Sequence, residues 1–472
     1  MYFRALVVLI FLSFSLLAQK HQKFLDAGIQ LMSEEKYEDA LIQLKNAVSA
    51  GPKVAETYYQ RGRCYLNLGK NTDAKKDLDK AIELDQSKGV YYNTRGLANE
   101  NLNDTVNAVA DYKKAISKDS TVHQPYYNLA RIVEAQGKPK EALALVNLAL
   151  EKNPKDDDSY ITKGSLLQTL KDTASAISVY KAALKNDSNS YGANYALAIL
   201  YNEKNQFKEA LKYINKAIKA DAKNPDSYVE KGLILENLKD SVGALKNYST
   251  AIELDKNFSF AYFTRGSYYQ THNNRTAAIA DFTKIISIDP NDADAYIARA
   301  ECYSDTNNCA AALLDLEVAK RLTPKDPSVY FQIGICQDET RYYREAIESF
   351  NKAISLDSTA NEYYYSRGNS YYNLELLDMA EKDYFKALKL DTTNAGPYFN
   401  LGNIHFDKKE FDVAIGFYDK YLAMEPKDAD ALVNRGICKN GLGFEKEACI
   451  DWKAAEALKS FEATENIKKF CK

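Results

Sequence analysis

The sequence predicts an all-α solenoid built from antiparallel helix pairs. Two strides along the chain and one aromatic column carry that prediction. Stepping by thirty-four from Gly368 lands on Gly28, Gly62, Gly96, Ala130, Gly164, Ala198, Gly232, Gly266, Ala300, Gly334, Gly402 and Gly436, so all thirteen positions are small. The same stride from Ala380 meets alanine thirteen times, from Ala40 to Ala448. Four residues before each member of the first series stands an aromatic ring in eleven of thirteen units, Asn194 and Leu432 being the exceptions. A fixed period of this length marks stacked units that cannot bury their apolar stripes without a neighbour.

The unit 361–394 shows the logic. Its first half puts Tyr364, Gly368 and Tyr371 on one helical face, and its second half does the same for Ala380, Tyr384 and Ala387. The small residues let two backbones approach, and the tyrosines fill the gaps between helices. The Ala387 column is alanine in eleven units and is broken by Ile285 and Tyr421. Units begin at His21, Ala55, Gly89, His123, Asp157, Tyr191, Pro225, Ser259, Ala293, Pro327, Asn361, Ala395 and Ala429, and they run without insertion to Glu462. Within each unit, helix A is expected over roughly positions 2 to 14 and helix B over roughly 18 to 31. The connecting turns are rich in Asn, Asp, Gly and Lys, as in Leu68-Gly69-Lys70-Asn71. Residues 463–472 are expected to form a capping helix, with Ile467 and Phe470 on one face over the last unit.

The leader, residues 1–18, holds an apolar run from Ala5 to Leu17 behind Arg4. It is short for a membrane span, which needs about 20 apolar residues, and it fits a signal peptide cleaved after Ala18. The competing expectation is an uncleaved N-terminal anchor. The first cysteine is Cys64, too far along for a lipoprotein. The expected location is a bacterial periplasm or the outside of the cell. Lys and Arg number 62 against 65 Asp and Glu, a net charge of −3. No basic face or arm stands out, which argues against a nucleic-acid partner.

Two further columns vary together. Position 7 is arginine in six units, at Arg61, Arg95, Arg265, Arg299, Arg367 and Arg435. Position 23 is aspartate in the same six, at Asp77, Asp111, Asp281, Asp315, Asp383 and Asp451, and in no others. Chance would align the two sets roughly once in a thousand, and covarying positions point to contact. Where the pair is missing, apolar residues often replace both, as with Leu129 and Leu145. The expectation is a structural ion pair between helices A and B of one unit, in a site dry enough to favour a bidentate arginine.

The pattern resembles the tetratricopeptide repeat family. Period and small-to-large alternation match. Tyrosine mostly stands where that family favours tryptophan, and Pro52, Pro154, Pro290, Pro324 and Pro426 close helix B. The resemblance covers nearly all of the chain after the leader. It implies a right-handed superhelix, lined on its concave side by helix A through positions 2, 5, 9, 12 and 13. Position 5 there is Tyr59, Tyr127, Tyr195, Phe263, Phe331, Tyr365 or Phe399 in seven units, and position 9 adds Arg63, Arg131, Asn369 and Asn403. Tyr59 with Arg63, and Tyr127 with Arg131, are i,i+4 pairs that could stack. Such a groove suits an extended peptide or a partner helix. The bland alternative is that the rings only pack against the next helix. The family's carboxylate clamp places lysine at position 5, and no unit here has a basic residue there.

The seven cysteines are Cys64, Cys302, Cys309, Cys336, Cys438, Cys449 and Cys471. Spacing points to two bridges, Cys302–Cys309 across a turn and Cys449–Cys471 against the end helix, with Cys438 a competitor for Cys449. The four histidines, His21, His123, His272 and His405, fall in different units, and no hydrolase, P-loop or zincin motif is present. No cofactor or metal is expected. The expected function is a non-catalytic scaffold that binds protein or peptide partners. The alternative is a glycan- or peptidoglycan-binding protein of the cell envelope, since tyrosine faces also stack on sugars. Membrane contact is expected only through an uncleaved leader, if at all.

Overall fold

The structure is a computed structural model and describes residues 2–471. Among them are 27 helices and no strand. Among the described residues, twelve pairs of consecutive helices pack as antiparallel hairpins, six within each compact unit of the chain, and one terminal helix follows the last of them. The first helix, Tyr2–Ser33, runs unbroken from the leader into helix A of repeat 1. No helix among the described residues is long and apolar enough to cross a membrane. The chain forms two compact units, one through Asn247 and one from Tyr248 onward. In both, the architecture is a solenoid of stacked helix pairs.

Each pair is shaped by its turns. In repeat 11, helix A is Asn361–Asn373 and helix B is Leu377–Leu390, so both begin one residue earlier than the sequence suggests. The cause is the residue at position 15, which takes a left-handed conformation in every repeat, from Glu35 (φ 59°) to Gly443 (φ 84°). The next N–H then reaches back five residues, as when Leu376 N donates to Tyr371 O at 2.9 Å, and this closes a Schellman-type stop. Only Gly69, Gly137 and Gly443 are glycine at that position. Helix B usually ends on an aspartate that captures the backbone two residues on. Asp391 Oδ1 accepts from Thr393 N at 2.8 Å and from its hydroxyl at 2.7 Å.

The small columns meet the large one inside each hairpin. A Cβ placed on Gly368 would lie 2.7 Å from the Tyr384 ring, on Gly402 2.6 Å from Tyr418, and on Gly436 2.5 Å from Trp452. Glycine is needed there for close approach. Where alanine replaces it, at Ala130, Ala198 and Ala300, the facing residue is the slimmer Val146, Ile214 or Leu316. Rings such as Tyr112, Tyr384 and Phe350 are completely buried. Each contributes about 2–3 kcal/mol of hydrophobic burial.

All six arginine–aspartate pairs are joined, each by two parallel bonds. In repeat 11, Arg367 Nε and Nη2 both donate to Asp383 at 2.7 Å. The guanidinium lies 5.6 Å from the Tyr364 ring at position 4, and Arg61, Arg95, Arg265 and Arg299 repeat that stacking. The third guanidinium edge does something that a single repeat does not reveal. It reaches helix B of the preceding repeat, where Arg95 Nη1 meets Asp79 at 2.8 Å, Arg367 Nη1 meets Asn351 at 2.5 Å and Arg435 Nη1 meets Asp419 at 2.6 Å. The arginine therefore clips neighbouring repeats as well as its own hairpin. In repeat 4 Leu129 and Leu145 take the place of the pair in one apolar cluster.

The terminal helix spans Phe461–Phe470, two residues earlier than expected, because Ser460 Oγ caps it by accepting from Ala463 N. Ile467 and Phe470 pack on the last repeat, with Phe470 5.7 Å from Trp452. Cys449 and Cys471 form a disulfide. The expected Cys302–Cys309 bridge is absent, and both are free thiols. The intervening turn sends them into different inter-repeat cores. Cys302 packs with Tyr262 and Phe282 of the preceding repeat, and Cys309 packs with Ile333 and Cys336 of the following one. Cys64, Cys336 and Cys438 are also free and buried.

Candidate functional site

Curvature follows from which helices touch. In the first unit, A helices of neighbouring repeats meet directly, Tyr2–Ser33 with Ala55–Asn67 and Tyr191–Glu203 with Pro225–Asn237 among them. In the second unit, Ala293–Ser304 meets Pro327–Glu339, which meets Asn361–Asn373. B helices of neighbouring repeats do not approach one another to that extent among the described residues. The A-helix side is therefore the shorter path, and it forms an inner wall in each unit.

The wall is more tightly built than an open row of rings. Tyr59 is only 9% exposed, lies 4.9 Å from Tyr91 of the next repeat, and is covered by the Arg63 guanidinium at 5.7 Å. Phe263, Phe331, Tyr365 and Phe399 each lean on a buried ring of their own hairpin, namely Phe282, Phe350, Tyr384 and Tyr418, at 5.7 to 6.1 Å. Tyr195 stacks on Tyr191 at 5.6 Å. Tyr127 is half-buried beside exposed Arg131. The aromatic column is thus mainly a supporting layer, partly exposed. Sequence spacing could not decide this, because the covering residues come from adjacent repeats.

The polar groups stand further out. Arg63 borders a hollow of about 300 Å³ with Tyr59, Asn93, Thr94 and Gln124. Arg131 Nη2 pairs with Glu100 at 3.2 Å, and Glu100 also accepts from the Tyr112 hydroxyl at 2.8 Å. In the second unit, Asn369 and Asn403 form two equivalent brackets. Asn369 Oδ1 accepts from the Tyr384 hydroxyl at 2.9 Å and from Asn400 Nδ2 at 2.8 Å. Asn403 Oδ1 accepts from the Tyr418 hydroxyl at 2.8 Å and from Asn434 Nδ2 at 3.3 Å. Asn400 and Asn434 were not singled out from the sequence, although their shared position 6, one repeat after an asparagine at position 9, was the available signal.

The titratable groups do not converge. Burial raises the carboxyls of Asp157, Glu230 and Asp338 above their ordinary values, but they stand in repeats 5, 7 and 10. Neutral donors serve them: Ser190 for Asp157, Asn202 for Glu230 and Ser370 for Asp338. His21 lies 2.7 Å from Thr57 Oγ1, His123 is 3.3 Å from Asp156, His272 stacks on Tyr268, and His405 is 2.6 Å from Glu410. Among the described residues, no group of three or more His, Cys, Asp and Glu is arranged to hold a metal ion.

Paired helices at a constant stride, with an inner wall of A helices, define a helical-repeat array. Models of the tetratricopeptide repeat match residues 55–88, 93–157, 167–229, 225–258, 263–327, 327–359, 362–394 and 395–428. The chain belongs to the tetratricopeptide repeat family. No curated protein matches it. Among solved structures it is similar to the anaphase-promoting complex hetero-tetramer Cut9–Hcn1, at 14% identity and TM-score 0.48, covering 97% of this chain and 98% of the other. It is also similar to yeast Tom70, at 19% identity and TM-score 0.41, covering 90% and 96%. A tetratricopeptide repeat protein from Parabacteroides merdae is similar at 19% identity and TM-score 0.43, covering 53% and 99%.

Proposed function

We propose that this chain is a non-catalytic scaffold that binds protein partners as extended segments along the inner wall of its A helices. The observation that carries the proposal is the pair of asparagine brackets. Asn369 and Asn403 have their carbonyl oxygens saturated and held in place, while their amide N–H groups meet no protein acceptor among the described residues. A fixed, unspent donor present in two successive repeats suits the spaced carbonyls of an extended peptide. The glycan alternative has less support, because stacking on a sugar needs an open ring face and the position 5 rings are largely covered. The leader and the Cys449–Cys471 bridge favour an oxidising compartment, a periplasm or the outside of the cell.

Photo-crosslinking tests the reading. A benzophenone side chain is placed at exposed inner-wall sites Arg63, Glu362 and Asn373, and at exposed helix B sites Lys76 and Glu348. Discrete protein adducts from the first set alone support the proposal. Equal labelling from both sets overturns it.

A further inference from the structure

Charge on the inner wall of the second unit is one-sided. Across repeats 8 to 13, the inward positions 2, 5, 9, 12 and 13 carry eight carboxylates and no lysine or arginine. One of them, Asp305, is neutralised by Arg275 at 2.6 Å. The others are served differently. Glu301 accepts from Gln270 at 3.1 Å and from Gln332 at 3.0 Å. Asp338 accepts from the Ser370 hydroxyl, Asp407 from the Tyr372 hydroxyl and Glu339 from the Cys309 thiol. Every one of these donors is neutral. Asp294, Glu362 and Asp430 stand exposed on the first turns of their helices. None of these seven carboxylates has a cationic side chain within 4.0 Å among the described residues. The chain has nearly as many cations as anions and spends arginine freely on structural clips, so the lack of cations here is local.

Burial raises the Asp338 carboxyl, so the wall is partly desolvated before anything binds. Unneutralised carboxylates beside partly exposed rings attract cationic side chains with apolar stems. Each of five consecutive repeats, 9 to 13, carries at least one of these carboxylates. Adjacent A helices that pack together lie roughly 10 Å apart, and an extended peptide advances roughly 3.3 Å per residue. About three peptide residues therefore pass each repeat.

Resting on the scaffold reading above, we infer that the second unit's inner wall, from Glu301 to Asp430, takes an extended basic peptide with a lysine or arginine at about every third residue. The carboxylates pair with the basic residues, and the partly exposed rings of Phe331, Tyr365 and Phe399 provide apolar surface for the residues between them.

The intact chain is panned against a random peptide library displayed on phage. A lysine-periodic peptide of about fifteen residues, long enough for five repeats, is then titrated by fluorescence anisotropy beside its glutamate counterpart. The lysine peptide is expected to bind and the glutamate peptide is not. The triple variant Glu301→Gln, Asp338→Asn, Glu339→Gln should weaken binding roughly tenfold, while Glu345→Gln with Glu348→Gln on helix B changes nothing. Glu301→Lys with Asp338→Lys should shift preference toward the glutamate peptide, which keeps the test decisive if the neutral variant is poorly folded. Library peptides that bind the inner wall without basic enrichment would overturn this inference and leave the scaffold reading standing. Failure of every peptide to bind overturns both.

Discussion

The clip between Arg367 and Asp383 offers the sharpest test of how the hairpins are held. Asp383 is 8% exposed at its side chain and Arg367 17%, so removal of either partner strands a largely desolvated charge. Full burial would cost about 3–5 kcal/mol, and the residual exposure reduces this to about 2.5 kcal/mol for Arg367→Leu or Asp383→Leu alone. The double variant recreates the Leu129–Leu145 arrangement of repeat 4, which is an apolar contact with no orphaned charge. It still gives up the bond to Asn351 and the stacking on Tyr364, so it should cost about 2 kcal/mol in all. The coupling energy is then about 3 kcal/mol. Hydrogen exchange resolved to the peptides of residues 361–390 measures local opening in the intact chain and avoids assuming that the whole array unfolds at once. A coupling energy below about 0.5 kcal/mol would refute the argument that this pair is desolvated and interdependent.

Four further outcomes are expected. Gly334→Ala places a methyl group 2.5 Å from the fully buried Phe350 ring and should cost about 1–3 kcal/mol in urea unfolding, whereas in a Phe350→Leu background, which mimics Ala300 facing Leu316, the added cost should be under about 1 kcal/mol. Cys471→Ser releases a closure of 22 residues, so the end helix should lose about 3 kcal/mol and the fluorescence of Trp452 should change at lower urea than in the parent; denatured parent protein should titrate five free thiols, and seven would contradict the bridge. Arg341→Gly and Lys409→Gly replace left-handed residues at φ 66° and 60° and should each raise the thermal midpoint, by about 0.5–1 kcal/mol of stability. Burial raises the Asp338 carboxyl in the folded chain, so the fold binds that proton more tightly than the unfolded state does; stability should fall as pH rises from the ordinary aspartate value through the raised one, and Asp338→Asn should remove that part of the pH profile.

Much of the fold was legible because repetition turns packing into arithmetic. The glycine and alanine columns and the Arg–Asp register follow from residues inside one thirty-four-residue unit, where helical spacing decides which side chains share a face. What crosses from one repeat to the next was harder to read. The reach of Arg95 Nη1 to Asp79, the covering of Tyr59 by Tyr91, and the burial of Cys309 with Cys336 all depend on the angle between neighbouring hairpins, which no single unit encodes. The same limit misdirected the cysteine pairing. Only six residues lie between Cys302 and Cys309, yet the tight left-handed turn at Asn307 parts them into separate cores. At the inner wall, the column of rings was plain in the sequence. Their partial covering, and the asparagine brackets beyond them, required three dimensions.

The arginine clips are unevenly spaced along the first unit. Repeat 3 is fastened to repeat 2 through Arg95, but residues 123–237 contain no Arg–Asp pair at the clip positions. Under a steady pull the unit should behave as a rope spliced at one end only. The unspliced stretch yields first, hairpin after hairpin, while the fastened one still bears load.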